Sequence, residues 1–194
     1  MDEVDEADDD DLMAQVGRRD QAAYGSLVAR HLSSVHRYLT RLTASPADAD
    51  ELAQETLLRM WLHAESYRPG TVRLTTWLHR IAHNLAVDEL RKRRTEPLQE
   101  SHIPADAGAD PQAALAASQA QSQLNQALDS LPANQRAALL LTRVQEFSSH
   151  DAATILGVSV HSVESLVARG RRTLRARLQQ LQGDTPEPQQ SNPT

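Results

Sequence analysis

The chain contains no cysteine, which excludes disulfides, a thiol nucleophile and Cys-ligated zinc. Aromatic residues make up only 3% of its 194 residues, so leucine and alanine must fill any core. No run of about 18 apolar residues occurs, so no insertion into a membrane is expected. The period-2 alternation of β-branched residues that marks strands is missing as well. There is no phosphate-binding glycine loop, no nucleophile–base pair and no metal triad, so neither enzymatic activity nor a cofactor is expected. The N-terminus is acidic rather than basic and then apolar, unlike a secretory signal, and a cytoplasmic location follows.

What is present points to helices. Hydrophobic residues reach 40%, and Ala, Leu, Arg, Gln and Glu are strong helix formers. The fold class expected is all-α, with two helical domains joined by a flexible linker, the second containing a helix-turn-helix. The net charge of −6 is unevenly spread. Asp2, Glu3, Asp5, Glu6, Asp8, Asp9, Asp10 and Asp11 form an acidic arm, and setting those eight charges aside leaves +2. Bases concentrate at Arg91 to Arg94 and at Arg169 to Arg177, and this asymmetry says more than the total.

Apolar periodicity divides the chain. Residues 1–11 read as a disordered acidic arm and 12–95 as a first helical domain. Within it a stripe from Leu12 to Leu42 is interrupted at Asp20, a plausible helix cap. Ser45 and Pro46 suit the cap and first position of the next helix. That helix carries Asp48, Asp50, Glu51, Gln54, Glu55, Leu58 and Arg59. Acid in its first turn complements the helix dipole. Further along, an acidic stripe beside Leu58 suits docking on a basic helical partner. Pro69 and Gly70 mark a loop over Ala64 to Leu74. A helix from Thr75 to Arg94 follows, with Thr76, Arg80, Asn84, Asp88 and Arg91 along one polar face. Its Trp77 falls in the apolar register and reads as core. Residues 96–113, with Pro97, Pro104, Gly108 and Pro111, read as the linker. Residues 114–182 read as the second domain, and the Pro- and Gln-rich stretch 183–194 as a disordered tail.

The second domain ends in SHDAATILGVSVHSVESLVARGRRTLRAR. A short helix with Ala152, Ala153, Ile155 and Leu156 on its apolar surface stops at Gly157, a residue suited to the left-handed C′ position. Ser159 can cap the next helix. That helix sets Val160, Val163, Val167 and Leu174 near one face and collects Arg169, Arg171, Arg172, Arg175 and Arg177 on another. Two helices, a glycine turn and a basic second helix form the helix-turn-helix pattern.

Three segments in order resemble the extracytoplasmic-function group of bacterial sigma factors, over roughly residues 10 to 182. DADELAQETLLRMW resembles the group's core-polymerase-binding segment. TTWLHRIAHNLAVDELRKRR resembles its −10 promoter segment, and LPANQRAALLLTRVQEFSSHDAATILGVSVHSVESLVARGRRTLR its −35-reading domain. The resemblance implies a specificity subunit of RNA polymerase rather than an enzyme. Its partners would be core RNA polymerase, promoter DNA and an anti-sigma factor. Asp48, Asp50, Glu51, Gln54, Glu55, Leu58 and Arg59 would dock on polymerase. Tyr67 and Arg68 in the loop, with Thr76, Arg80, Asn84, Asp88, Arg91, Lys92, Arg93 and Arg94 on the helix, would hold the −10 element. Asn84 would bond a base edge and the basic residues would hold phosphates. His161, Ser162, Glu164, Ser165 and Arg169 would reach the −35 major groove, and Arg171, Arg172 and Arg175 its phosphates. Many members of the group carry a cation in place of Glu164, and Arg in place of Leu166. Two cations would thus be missing from the reading surface.

Two other readings stand beside this one. A free-standing regulator would use the helix-turn-helix alone, as a dimer on two half-sites. A metal sensor would use His79 and His83, spaced i, i+4, completed by His63 or His150. No acidic residue is well placed for that site, and solvent-facing histidines are the simpler expectation.

Overall fold

A computed structural model describes residues 8–95 and 122–183. No strand occurs among the described residues. Helix α1 spans Asp9–Gly17 and opens on Asp9, Asp10 and Asp11, where negative side chains meet the positive end of the helix dipole. Asp9, Asp10 and Asp11, placed in the acidic arm expected over 1–11, are thus helical, and residues 1–7 lie outside the described ones. Asp9 lies 3.0 Å from Arg30 and 2.8 Å from His31, which ties this first turn to the next helix.

Helix α2 spans Gln21–Thr43. The Asp20 carboxylate accepts from the N–H groups of Ala22 at 2.8 Å and Ala23 at 3.1 Å, as the cap expected there should. Ser45 caps α3, Pro46–Leu62, with Pro46 in the first turn. A single 3₁₀ turn, Ala64–Ser66, begins the loop that leads to α4, Leu74–Thr95. These helices bury Leu27, Val35, Leu39, Leu42, Met60 and Leu78 almost completely. Each such side chain contributes about 1.5–3 kcal/mol by leaving water. Tyr38 lies at the centre with no exposure at all. Trp77 is half-buried, with its ring edge-to-face on Tyr67 at 5.6 Å.

The second half begins with α5, described over 122–129, and α6, Ala133–Leu139. Leu139, Leu140 and Leu141 are all buried although they are consecutive. A widened turn over Leu140–Val144 allows this, and the Gln145 N–H donates to the Leu140 carbonyl five residues back at 2.9 Å. Helix α7, Ser149–Leu156, is capped by the Ser148 hydroxyl and ends at Gly157 with φ 65°. Helix α8, Val160–Gly183, starts where the Ser159 hydroxyl accepts from the Ser162 N–H at 3.1 Å. It crosses α6 at Gly170, where an added Cβ would stand 2.9 Å from Leu139 Cδ1.

The two halves share one core. The buried apolar cluster runs without a break from Leu12 in α1 to Val163 in α8. Side chains bridge the halves: Arg136 Nη1 donates to the Leu42 carbonyl at 3.1 Å, and Ser34 Oγ to Gln145 Oε1 at 2.8 Å. The linker expected over 96–113 lies wholly outside the described residues, as does the tail beyond Gly183.

Candidate nucleic-acid interface

Three patches of the expected residues can be located, and tertiary packing treats them differently. The first lies on α3. Glu51, Gln54 and Leu58 are exposed, and Leu58 keeps 47% of its surface in solvent. Glu55 accepts from Arg59 Nε at 2.7 Å, one helical turn along. Asp50 lies 2.8 Å from His36 Nε2. Asp48 is drawn away from this face by an ion pair with Arg93. Glu51, Leu52, Gln54, Glu55, Leu58 and Arg59 form one wall of an open groove of about 800 Å³. The other wall is α4, with Leu85, Asp88, Glu89, Arg91 and Lys92. The sequence separated an acidic docking stripe from a basic phosphate stripe; the packing of α3 on α4 makes Asp88, Arg91 and Lys92 neighbours of the docking face.

The second patch is the loop before α4 and that helix's polar face. Arg80, Asn84, Asp88 and Arg91 are exposed in a row. Tyr67 and Thr76 are not. Tyr67 is buried, and its hydroxyl donates to Asp10 Oδ1 at 2.5 Å and to the Val72 carbonyl at 3.1 Å. Burial, then the Asp10 carboxylate, pushes its phenol well above the usual range. Arg68 is exposed and donates to the Glu65 carbonyl at 2.7 Å. Thr76 is fully buried under α7, where its hydroxyl donates to Asp151 Oδ1 at 3.2 Å. Arg93 is engaged by Asp48 and by Glu89. The side chain of Arg94 lies outside the described ones. Of the residues expected to hold the −10 element, Tyr67 and Thr76 are therefore buried, engaged by the acidic start of α1 and by the second half of the chain, whereas Arg93 is exposed but paired with α3.

The third patch is the N-terminal half of α8. His161, Glu164, Arg169, Arg171, Arg172 and Arg175 are exposed, with Ser162 and Ser165 partly so. Leu166 is buried, 7% exposed, and lines a groove with Leu42, His83, Val87 and Leu90. It belongs to the core side, so its leucine removes no cation from the reading face. Glu164 alone carries that departure.

His79 and His83 are buried rather than surface-facing. Nδ1 of His79 meets the Thr75 carbonyl at 2.8 Å, and the ring stacks edge-to-face on Phe147 at 4.8 Å. Nδ1 of His83 meets the Tyr38 hydroxyl at 2.9 Å. Both rings are committed to packing, and the described residues hold no cluster of three metal-ligating side chains. Burial lowers each pKa to about 4.

Sequence reasoning passed over Asp151. Its carboxylate accepts from Arg73 Nη2 at 2.7 Å, Ser148 Oγ at 2.6 Å and Thr76 Oγ1 at 3.2 Å. Burial alone would raise its pKa, but the Ser148 hydroxyl, the Arg73 charge and the Thr76 hydroxyl outweigh it and hold the carboxyl below its usual range. In the sequence Asp151 reads only as a residue in the first turn of α7.

Residues 27–96 match the model for Sigma-70 region 2, and residues 121–174 that for Sigma-70, region 4. The ECF RNA polymerase sigma factor SigM of Mycobacterium tuberculosis is 36% identical over 92% of this chain and 86% of its own length. The chain belongs to the sigma-70 family, in its extracytoplasmic-function group. The ECF RNA polymerase sigma factor SigE of Mycolicibacterium smegmatis is 37% identical over 86% of this sigma factor, which spans 66% of the length of that relative. Among solved structures, CnrH in complex with the cytosolic domain of CnrY superposes with a TM-score of 0.69 at 28% identity, over 91% of this chain and 99% of that one. RpoE in complex with the anti-sigma factor NepR from Bartonella quintana gives 0.66 at 26%, over 80% and 96%. In this sigma factor no described helix is long and apolar enough to cross a membrane.

Proposed function

We propose that this chain is a cytoplasmic, non-catalytic specificity subunit of RNA polymerase that directs initiation at promoters with its own −10 and −35 sequences. The observation that carries the reading is the pair of exposed polar faces, one in each family segment: Arg80, Asn84, Asp88 and Arg91 on α4, and His161 to Arg175 on α8.

The exposed face of α3 docks on polymerase. Leu58 supplies an apolar centre, and Glu51, Gln54, Glu55 and Arg59 a polar rim, the anatomy of a transient interface. Arg91 and Lys92 project beside that face and hold backbone phosphates of DNA led past it. Asn84 presents a donor and an acceptor together, which suits a base edge turned out of the stack. Unstacking costs a few kcal/mol per step, offset by contacts available only to the opened strand. The N-terminal turns of α8 enter a major groove, with Arg169 bonding guanine and Glu164 accepting from cytosine N4. A partner that covers the polymerase- and DNA-binding faces until a signal arrives fits the relative solved in complex with an anti-sigma factor.

The test is co-purification with core polymerase at low salt, followed by transcription from promoters induced on overexpression. The full chain should associate with core enzyme and initiate from those promoters. Failure to associate, with tight duplex binding by the chain alone, would leave the free-standing helix-turn-helix regulator.

A further inference from the structure

Helix α1 lies before the segment that matches Sigma-70 region 2, which begins at residue 27. It nevertheless grips the loop between α3 and α4. Leu12, Met13 and Val16 bury its apolar side, and it packs against the 3₁₀ turn Ala64–Ser66 that begins the loop. On its acidic side Asp9 accepts from Arg30 at 3.0 Å, which ties α1 to α2. The next residue, Asp10, accepts from the Tyr67 hydroxyl at 2.5 Å, across 57 positions of sequence.

Tyr67 is the junction of the loop. Its single phenolic proton is shared between the Asp10 carboxylate and the Val72 carbonyl, the latter at 3.1 Å. One hydroxyl therefore gathers both ends of the turn 68–71. The ring stands edge-to-face on Trp77 of α4 at 5.6 Å, and Asn84 lies about two helical turns further along that helix. Arg68, Pro69, Gly70 and Thr71 are exposed between the gathered ends, with Gly70 at φ 74°. The Thr71 N–H closes the turn on the Arg68 carbonyl at 3.3 Å. Val72 belongs to the loop itself, so its carbonyl shapes the turn without fixing where the turn stands. The Asp10 carboxylate supplies that reference from another helix, and a charged acceptor holds a hydroxyl more strongly than a neutral one.

We propose that Asp10 is a positioning residue for reading the −10 element: by holding the Tyr67 hydroxyl it sets where the exposed turn 68–71 stands beside the Asn84 face of α4. The inference rests on the reading above, in which this loop and α4 meet the −10 element. Contacts to an unstacked base are short and directional, so a loop displaced by about 1 Å loses them. Phosphate contacts, set by charge over a longer range, persist. Base selection should therefore fall further than overall affinity. A pin that merely kept α1 on the domain would act otherwise: its loss would lower stability and leave base selection by the folded protein unchanged.

The test uses the full chain bound to core polymerase and single-stranded probes carrying the −10 sequences of promoters induced on overexpression. Each probe is compared with versions altered one base at a time, and selectivity is the ratio of the two affinities. Wild type should prefer the unaltered probe. Asp10→Ala should lower selectivity about fivefold at one position or more, with affinity for core polymerase unchanged. Tyr67→Phe keeps the ring on Trp77 and drops both hydrogen bonds. It should do the same, and it stands in should Asp10→Ala fold poorly by circular dichroism. The double variant should be no worse than either single one. Asp10→Asn retains an acceptor oxygen and should keep most of the selectivity. Losses that add in the double variant overturn the coupling, as does full selectivity in folded variants whose melting temperature has dropped. A wild-type holoenzyme that prefers no base would sink the −10 reading and this inference with it. Selectivity kept by the variants beside a selective wild type removes the role of Asp10 alone.

Discussion

The Tyr38 hydroxyl and Nδ1 of His83 share a hydrogen bond of 2.9 Å inside the helical core, and neither side chain reaches solvent freely. One turn earlier on α4, His79 lies under Phe147. The interior that four α-helices would otherwise fill with leucine thus holds two imidazoles in their neutral form.

Acid should therefore loosen the fold before any carboxylate titrates out. Burial lowers both histidines from about 6.5 to about 4. Between those values the unfolded chain binds protons that the folded chain refuses, so stability is full above about pH 6.5 and falls as pH drops toward 4. Each ring can contribute at most on the order of 3 kcal/mol over that window. Urea melts from pH 7.5 to 4.5 should show the loss, and His83→Asn should flatten its slope. A midpoint independent of pH over that range would contradict the assignment.

Gly157 ends α7 with φ 65°, a conformation a Cβ opposes by roughly 1–2 kcal/mol. An added Cβ meets no atom within 4 Å, so the cost is backbone strain alone. Gly157→Ala should lower stability by about 1 kcal/mol and Gly157→Asn by less. Thermal melts of the two variants check the order.

Leu58→Glu should weaken association with core polymerase by tenfold or more and leave the melting temperature within a degree or two. The side chain is 47% exposed, so its loss removes little from the core. A filter-binding or fluorescence titration against core enzyme separates the two effects.

Asn84→Ala and Arg91→Ala should fail in different ways. Asn84→Ala should impair strand opening, read by permanganate reactivity in the −10 region, more than it impairs duplex binding. Arg91→Ala should weaken binding to all sequences alike and reduce the salt slope by about one. Both side chains are exposed, so neither change should disturb the fold.

Much of the fold was legible in local chemistry. Asp20, Ser45 and Ser159 cap the helices whose starts they were expected to mark, because a side-chain oxygen and an unpaired N–H meet within a few residues. Gly157 ends α7 for a reason equally local. The exposed row from Arg80 to Arg91 follows from helical spacing. Leu166 was misplaced because a lone leucine on a basic helix shows nothing of what crosses above it. His79 and His83 were misplaced because i, i+4 spacing says that two rings share a face and leaves open which neighbour that face meets.

By itself the sequence determined the all-α class, the caps and turns, the two family segments and their order, since each depends on residues within a turn or two of one another. Tertiary structure alone decided that the two halves share one core, that Asp48 meets Arg93, that Asp10 meets Tyr67 and that Asp151 holds Arg73 and Thr76. Those pairs stand 45 to 78 residues apart in the chain. No periodicity reaches that far: contact at such range depends on which helix faces close over one another, and that is set by the summed burial of both halves.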